Sequence, residues 1–297
     1  MAKIKRNKLN DDTPYAAVML APNLILFILF MLFPIIYTFY LSFHKYDMLT
    51  PMKFVGLQNY IDMFNDETAM TCLWNTIKYT IMVVPITMVI ALMLAIAMDS
   101  HIMFKRFYRA CFFIPSITSW VAIAVVWCWL MNQDFGLLNY FLSFFGVEPI
   151  PWLTSAQWSL ISVAIVSIWK GAGYNMLLFL GGLQGISTSY YEAAELDGAS
   201  KWQQIRFITV PLLAPTTFFV FVTSIISSFQ VFDAVSMMTD GGPGRSSSVL
   251  VHYLYQNAFK YFQLGYASAI AYLMFFIVMA LTILNMKFSK GSTEGFY

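Results

Sequence analysis

Hydrophobic positions in this chain come in long runs rather than in the one-face or alternating patterns of a water-soluble core. Six runs are long enough to cross a bilayer: Ala16–Phe43, Ile77–Met98, Ala110–Met131, Trp158–Gly181, Leu212–Met237 and Leu264–Met286. About 20 apolar helical residues span the hydrocarbon layer. Runs that are apolar on every side predict helices with no water-facing stripe. The expected fold is therefore an all-α polytopic membrane protein of about six transmembrane helices. It divides into residues 1–15, a membrane domain over 16–286 that includes a polar loop at 182–211, and a tail over 287–297.

That loop breaks the pattern. Ser189 to Pro211, SYYEAAELDGASKWQQIRFITVP, is polar and charged and far longer than a turn requires. Ser189 and Glu192 have capping-box spacing, which predicts a helix start at Ser189. Gly198 can take the positive φ that ends a helix. Ser200 and Gln203 repeat the box, and Pro211 is expected to mark the next boundary. Two short helices joined at a glycine predict a surface built to meet a partner.

Composition supports the membrane reading: 59% of residues are hydrophobic and 11% charged, with a mean hydropathy of +0.67. Soluble domains carry about 25% charged residues. Lysine and arginine placement sets the orientation. With the N-terminus inside, the cytoplasmic side holds Lys3, Lys5, Arg6, Lys8, Lys105, Arg106, Arg109, Lys201, Arg206, Lys287 and Lys290. The outside holds only Lys45, Lys53, Lys78, Arg245 and Lys260, while Lys170 lies within a span. Both termini and the polar loop are thus expected in the cytoplasm. The first run, about 28 residues, exceeds the roughly 7–15 of a signal peptide's apolar region, so it reads as a retained helix.

Outside the membrane, His44–Thr76 carries the amphipathic patch YIDMF, and Asn132–Gln157 carries Trp152 and Trp158, suited to the aromatic belt. TDGGPGRSSS, Thr239–Ser248, reads as a turn cluster. Cys72, Cys111 and Cys128 have no metal-type or redox spacing. There is no G-x-x-x-x-G-K-[ST] for nucleotide hydrolysis, and His44, His101 and His252 form no recognised ligand pattern. Any driving energy is expected from another chain.

Polar residues inside spans are costly and therefore informative. Lys170, in WKGAGYN, either snorkels to external headgroups or stands at a polar cavity with Gly171, Gly173, Tyr174 and Asn175. The fifth run places Ser224, Ser227, Ser228, Gln230 and Asp233 in one apolar helix, the three serines on one face. Small hydroxyl residues aid helix packing, but hydroxyls beside aromatics also suit a sugar pathway. Gly181 and Gly185 form a GxxxG, read as a close-packing site. Pro34, Pro85 and Pro115 are expected to kink their helices.

EAAELDG followed after nine residues by ITVP resembles the EAA loop of permease subunits in bacterial binding-protein-dependent ABC importers. Glu192, Ala193, Ala194, Gly198, Ile208 and Pro211 match its pattern; Val210 replaces a leucine, and Ser187 stands where members often have proline. FVGLQNY, IWKGAGYNMLLFLGGLQGI and SSFQVFDAVSMMTDGGP extend the similarity to carbohydrate-uptake permeases related to the maltose system. The resemblance implies a type I importer permease fold, with no catalysis in this chain. Tyr191, Glu192, Ala193, Ala194, Asp197 and Gly198 would belong to a coupling helix seated on a cytoplasmic ATPase. Trp169, Lys170, Gly171, Tyr174, Ser224, Ser227, Ser228, Gln230 and Asp233 would line the substrate pathway.

The implied partners are a second permease, two ATP-binding subunits that hold ATP and magnesium, and an external solute-binding protein. The implied substrate is an oligosaccharide or related sugar, and the implied location the bacterial cell membrane; nucleic acid has no part. Glycerol-phosphate uptake is the alternative within the family. A self-sufficient channel or carrier, or a membrane-embedded enzyme, is the alternative outside it.

Overall fold

The computed structural model describes residues 13–100 and 103–293. Lys3, Lys5, Arg6, Lys8, His101 and the side chain of Lys290 lie outside the described residues. In chain order the helices are α1 (Thr13–Phe27), α2 (Phe33–Ser42), α3 (Gln58–Asn65), α4 (Glu67–Asp99) and α5 (Lys105–Ile117). Next come α6 (Trp120–Leu130), α7 (Leu137–Ser143), α8 (Ser159–Gln184), α9 (Thr188–Leu196) and α10 (Lys201–Gln204). The last are α11 (Val210–Leu212), α12 (Ala214–Phe229), α13 (Asp233–Met238), α14 (Leu250–Tyr255) and α15 (Leu264–Thr293). Two short strands, β1 (His44–Lys45) and β2 (Lys53–Phe54), pair antiparallel.

Four stretches are long and apolar enough to cross a membrane: Val18–Ser42, Glu67–Asp99, Ser159–Gln184 and Leu264–Lys287. The pairs α5–α6 and α10–α12 meet the same test only as bent units, at 98° and 66°. Counting each bent pair as one crossing gives the six expected spans. The third is thus broken at Thr118–Ser119 rather than kinked at Pro115. Pro85 sits inside the 33-residue α4 without interrupting it.

Proline acts differently at two of the three described π turns, Ile28–Leu32 and Ile205–Thr209, the third being Gln256–Lys260. Phe33 N–H donates to the carbonyl of Ile28, and Val210 N–H to that of Ile205, each one residue before Pro34 or Pro211. A proline ring clashes with the carbonyl four residues back in a regular α-helix. A π turn widens the helix at that point and lets it continue. Pro211 therefore does not end its helix; the bend falls two residues later, at Leu213.

The chain forms two compact units. One comprises the chain up to Met63 with Asn257–Tyr272; the other comprises Phe64–Gln256 with the chain from Leu273. In the first, the YIDMF patch forms most of α3, where Asn59 and Met63 are buried. The Asn59 side chain donates to the carbonyls of Ser42 and His44. The span from Val18 to Leu32 leaves nearly every apolar side chain exposed, a surface that only lipid or another protein covers.

The second unit is built on α4 against α8. Small Ala91 and Ala95, one turn apart, admit Met176, Phe179 and Leu180 of α8. Val163 and Val166 of α8 pack with Ile123 and Ala124 of α6 and Ala234 and Val235 of α13. Val84, Ile225 and Phe229 pack with Ile277, Val278 and Leu281.

The turn cluster Thr239–Ser248 is more than an external turn. Ser247, Ser248, Val249 and Leu250 are buried. On α4, the Asn75 amide donates to the carbonyls of Arg245 and Ser248, both at 3.0 Å. Thr76 Oγ1 accepts from Leu250 N–H at 2.8 Å. These two polar side chains satisfy a loop that would otherwise bury bare backbone.

The fourth span packs through different glycines from those its GxxxG suggests. A Cβ on Gly181 would meet nothing within 4 Å, and one on Gly185 only the carbonyl of Gly182 at 3.3 Å. A Cβ on Gly173 would stand 1.8 Å from the carbonyl oxygen of Phe112, and one on Gly182 2.4 Å from Thr216 Oγ1. Gly173→Ala is therefore expected to cost about 1–3 kcal/mol through overpacking. Gly181→Ala should be neutral or slightly stabilising through helix propensity. Detergent-solubilised thermal unfolding of the two variants distinguishes these outcomes; equal midpoints would refute the assignment.

Candidate functional sites: an exposed helix pair and a polar cavity

The polar loop folds as two helices, with its first boundary shifted from the sequence reading. Ser187, not Ser189, caps α9. It accepts from Ser189 N–H, and its hydroxyl meets that of Ser189 at 2.8 Å. Ser187, Thr188 and Ser189 are all competent caps, so composition alone does not select among them.

The far end of α9 follows the sequence. Gly198 has φ +77°. Its N–H donates to the carbonyl of Glu195, and Ala199 N–H donates to that of Ala194 at 2.8 Å. This pair of bonds is the Schellman closure of a helix. Ser200 and Gln203 then complete a reciprocal capping box on α10. Lys201 pairs with Glu195 across the turn, and Tyr191 Oη bonds Thr209 Oγ1 at 3.0 Å, tying α9 to the following π turn.

The resulting ridge exposes Glu192, Ala193, Asp197 and Gly198, with Ala194 half-buried. It also exposes Leu196 at 90% and Trp202 at 69%. Neither of these was singled out in the sequence. Leu196 sits just before the glycine turn, a place where an apolar side chain has no helix partner, and that was its only available signal.

The second site is a cavity of about 550 Å³ walled by α4, the broken third span, α8 and the α12–α13 junction. This falls within the range of small-ligand pockets. Lys170, Gly171, Tyr174, Ser224, Ser227, Ser228, Gln230 and Asp233 all border it. Trp169 does not; it is 44% exposed and packs edge-on to Trp127 at 5.4 Å. The expected continuous fifth helix ends at Phe229, with Gln230 as its cap, and Asp233 opens the separate α13. Asp233 is therefore not an acidic residue within a spanning helix.

Most cavity hydroxyls already have partners. Ser228 Oγ donates to the carbonyl of Ile225 and meets Thr80 Oγ1 at 2.9 Å. Asn175 Nδ2 reaches Ser224 Oγ at 3.4 Å. Tyr79, Thr87, Phe113 and Trp120 also line the wall. They lie on runs with no polar periodicity, which is why the sequence did not mark them.

Lys170 does not snorkel: it borders the cavity with Gly171, Tyr174 and Asn175, but its ammonium is turned to backbone rather than to the open space. The residue is 9% exposed. Its ammonium donates to the carbonyls of Pro115 at 2.9 Å, Ser116 at 3.1 Å and Thr118 at 2.6 Å. Ser116 Oγ returns a bond to the carbonyl of Lys170 at 3.1 Å. The Trp120 ring centroid lies 5.1 Å from Nζ. All three ammonium donors are taken by backbone, so no proton remains to be aimed at a ligand.

Comparison with known proteins places this geometry. Residues 13–289 match the family described as binding-protein-dependent transport system inner membrane component. The probable ABC transporter permease protein YurN of Bacillus subtilis is 36% identical over 290 residues, covering 96% of this chain and 98% of that protein. The sulfoquinovosyl glycerol transport system permease protein SmoG of Agrobacterium fabrum is 33% identical over 278 residues, covering 93% and 90%. In fold, a chain of a bacterial ABC transporter involved in import of the acidic polysaccharide alginate superposes with a TM-score of 0.81. That match is 22% identical and covers 96% of this chain and 98% of the other. The chain belongs to the binding-protein-dependent permease family: it is an integral membrane, non-catalytic subunit of an ABC importer.

The hydrogen bond and charge of Lys201 hold the Glu195 carboxyl below the usual glutamate range. A depressed folded-state pKa stabilises the turn fully above the unfolded value, about 4.3. That contribution is lost as pH falls through the folded value. Protection of the Ala199 amide against hydrogen exchange should therefore decline below about pH 4.3. The decline should be absent in Lys201→Met; an identical profile in that variant would remove the ion pair from the turn's stability.

Proposed function

We propose that this permease forms half of a sugar translocation pathway and couples it, through the α9–α10 ridge, to a cytoplasmic ATPase. The observation that carries the substrate class is the cavity wall. It offers serine and threonine hydroxyls and amides for sugar hydroxyls, with Tyr79, Tyr174 and Trp120 to cover C–H faces. Aromatic and polar groups converging in one recess suit a neutral polyol better than an apolar ligand. Lys170 is the basic residue of that wall and is spent on backbone. Arg245 bonds Gln256 and lies over Tyr253, outside the wall. Glycerol phosphate would thus find no available cation here.

In the complete importer a second permease supplies the facing wall, and an external binding protein delivers the sugar. Two ATPase subunits hold ATP and magnesium. Glu192 meets a basic group on the ATPase, while Leu196 and Trp202 enter its groove. Lys105, Arg106, Arg109, Lys201 and Arg206 flank that side, which supports a cytoplasmic placement for the ridge and both termini.

Affinity purification from native membranes with mass spectrometry tests the assembly. A second EAA-containing permease and a Walker-type ATPase should be recovered, and the co-purified binding protein identifies the sugar. Trp202→Ala should weaken ATPase retention by roughly 30-fold, as expected for an aromatic hot spot of about 2 kcal/mol. Glu192→Lys should likewise abolish coupling without loss of membrane insertion. Ser228→Leu should leave ATPase retention unchanged and abolish uptake of the identified sugar. Recovery of this chain alone, active in transport after reconstitution, would overturn the importer reading.

A further inference from the structure

The break in the third span creates a debt of hydrogen bonds. The last carbonyls of α5 lose their helical donors where the chain turns by 98°. Ile114 is satisfied locally, accepting from Thr118 N–H and from Thr118 Oγ1. The carbonyls of Pro115, Ser116 and Thr118 are not satisfied within the span, and each accepts from Lys170 Nζ instead. Bare carbonyls at membrane depth are strongly unfavourable. An ammonium at a helix C-terminus also faces the negative end of the helix dipole. Three donors meet three acceptors from one direction.

The clamp is two-sided. Ser116 Oγ bonds back to the Lys170 carbonyl, and one turn further Gly173 lets the Phe112 carbonyl approach α8 directly. What the clamp fixes is the start of α6. Trp120, its first residue, borders the cavity and carries the Lys170 ammonium against its ring.

We propose that Lys170 is a positioning residue of the transport pathway. Its ammonium latches the broken third span to α8 and so sets the Trp120 indole on the cavity wall as a stacking surface for a sugar ring. Lys170 itself does not touch the substrate. The proposal rests on the cavity being the sugar pathway, and it assigns the charge in that pathway to architecture rather than recognition.

The test is 19F NMR of the complete transporter in lipid nanodiscs with 5-fluorotryptophan incorporated. The Trp120 and Trp152 lines are assigned by loss in Trp120→Phe and Trp152→Phe. In Lys170→Met the Trp120 line is expected to shift and narrow as the indole gains motion, while the Trp152 line holds. Lys170→Arg, which keeps a charge and several donors, should return the Trp120 line towards its original position. If Lys170→Met does not accumulate, Lys170→Gln, which keeps two donors and loses the charge, carries the same comparison.

An unmoved Trp120 line would overturn the latch. Equal displacement of both lines would overturn it too, since it would reduce Lys170 to a general stabiliser. The readout uses no substrate. A failed latch therefore leaves the pathway reading standing, whereas normal sugar uptake by Ser228→Leu would sink that reading and leave the latch intact.

Discussion

Lys170 satisfies a constraint that a water-soluble protein would not face. In a bilayer, backbone groups released by a bend have no solvent to turn to, so a spanning segment can break only where protein supplies the missing partner. Here that partner is one side chain on the adjacent helix, and its three donors go to three carbonyls. The bend, the seat of Trp120 and the cavity wall follow from that pairing. A lysine in a membrane span is usually read as a binding site. Its saturation by backbone shows why the partner must be identified before the role is assigned.

Most of the fold was legible from the sequence because the bilayer imposes a length and an apolarity that any run of residues must meet. The breaks were less legible because they depend on partners distant in sequence. Nothing around Pro115 reveals that a lysine 55 residues away accepts the consequence of a bend. The fifth run stays apolar to Met237 through Val231, Phe232 and Ala234, yet its helix stops at Phe229. The GxxxG reading failed for a related reason. Spacing identifies a smooth face, but only a facing backbone makes a glycine necessary, and that backbone lies opposite Gly173 rather than Gly181.

The candidate sites differ in the same way. The α9–α10 ridge is local: Gly198, Ser200 and Gln203 act within a few residues of themselves, so their chemistry can be read directly. The cavity is assembled from four separated segments, and the sequence marked its polar members only around Lys170 and from Ser224 onward. Thr87, an isolated threonine in an apolar run, and Trp120, one aromatic among many, lay apart from those clusters. Their positions matter only because α4 and the start of α6 converge on α8.

The hydrogen bonding inside the cavity also bears on how a pathway can hold a ligand without trapping it. Ser228 already bonds Thr80 and the carbonyl of Ile225, so a ligand hydroxyl placed there would exchange one partner for another. Such exchange nets only about 0.5–1.5 kcal/mol per bond. Conduction through a site requires binding that is favourable enough to enter and weak enough to leave. Gln230, Asp233 and Ser227 remain exposed at the same wall, where they can follow a ligand as it moves. A wall in which most hydroxyls are already paired would hold a ligand with modest affinity, in keeping with a family described as binding-protein-dependent.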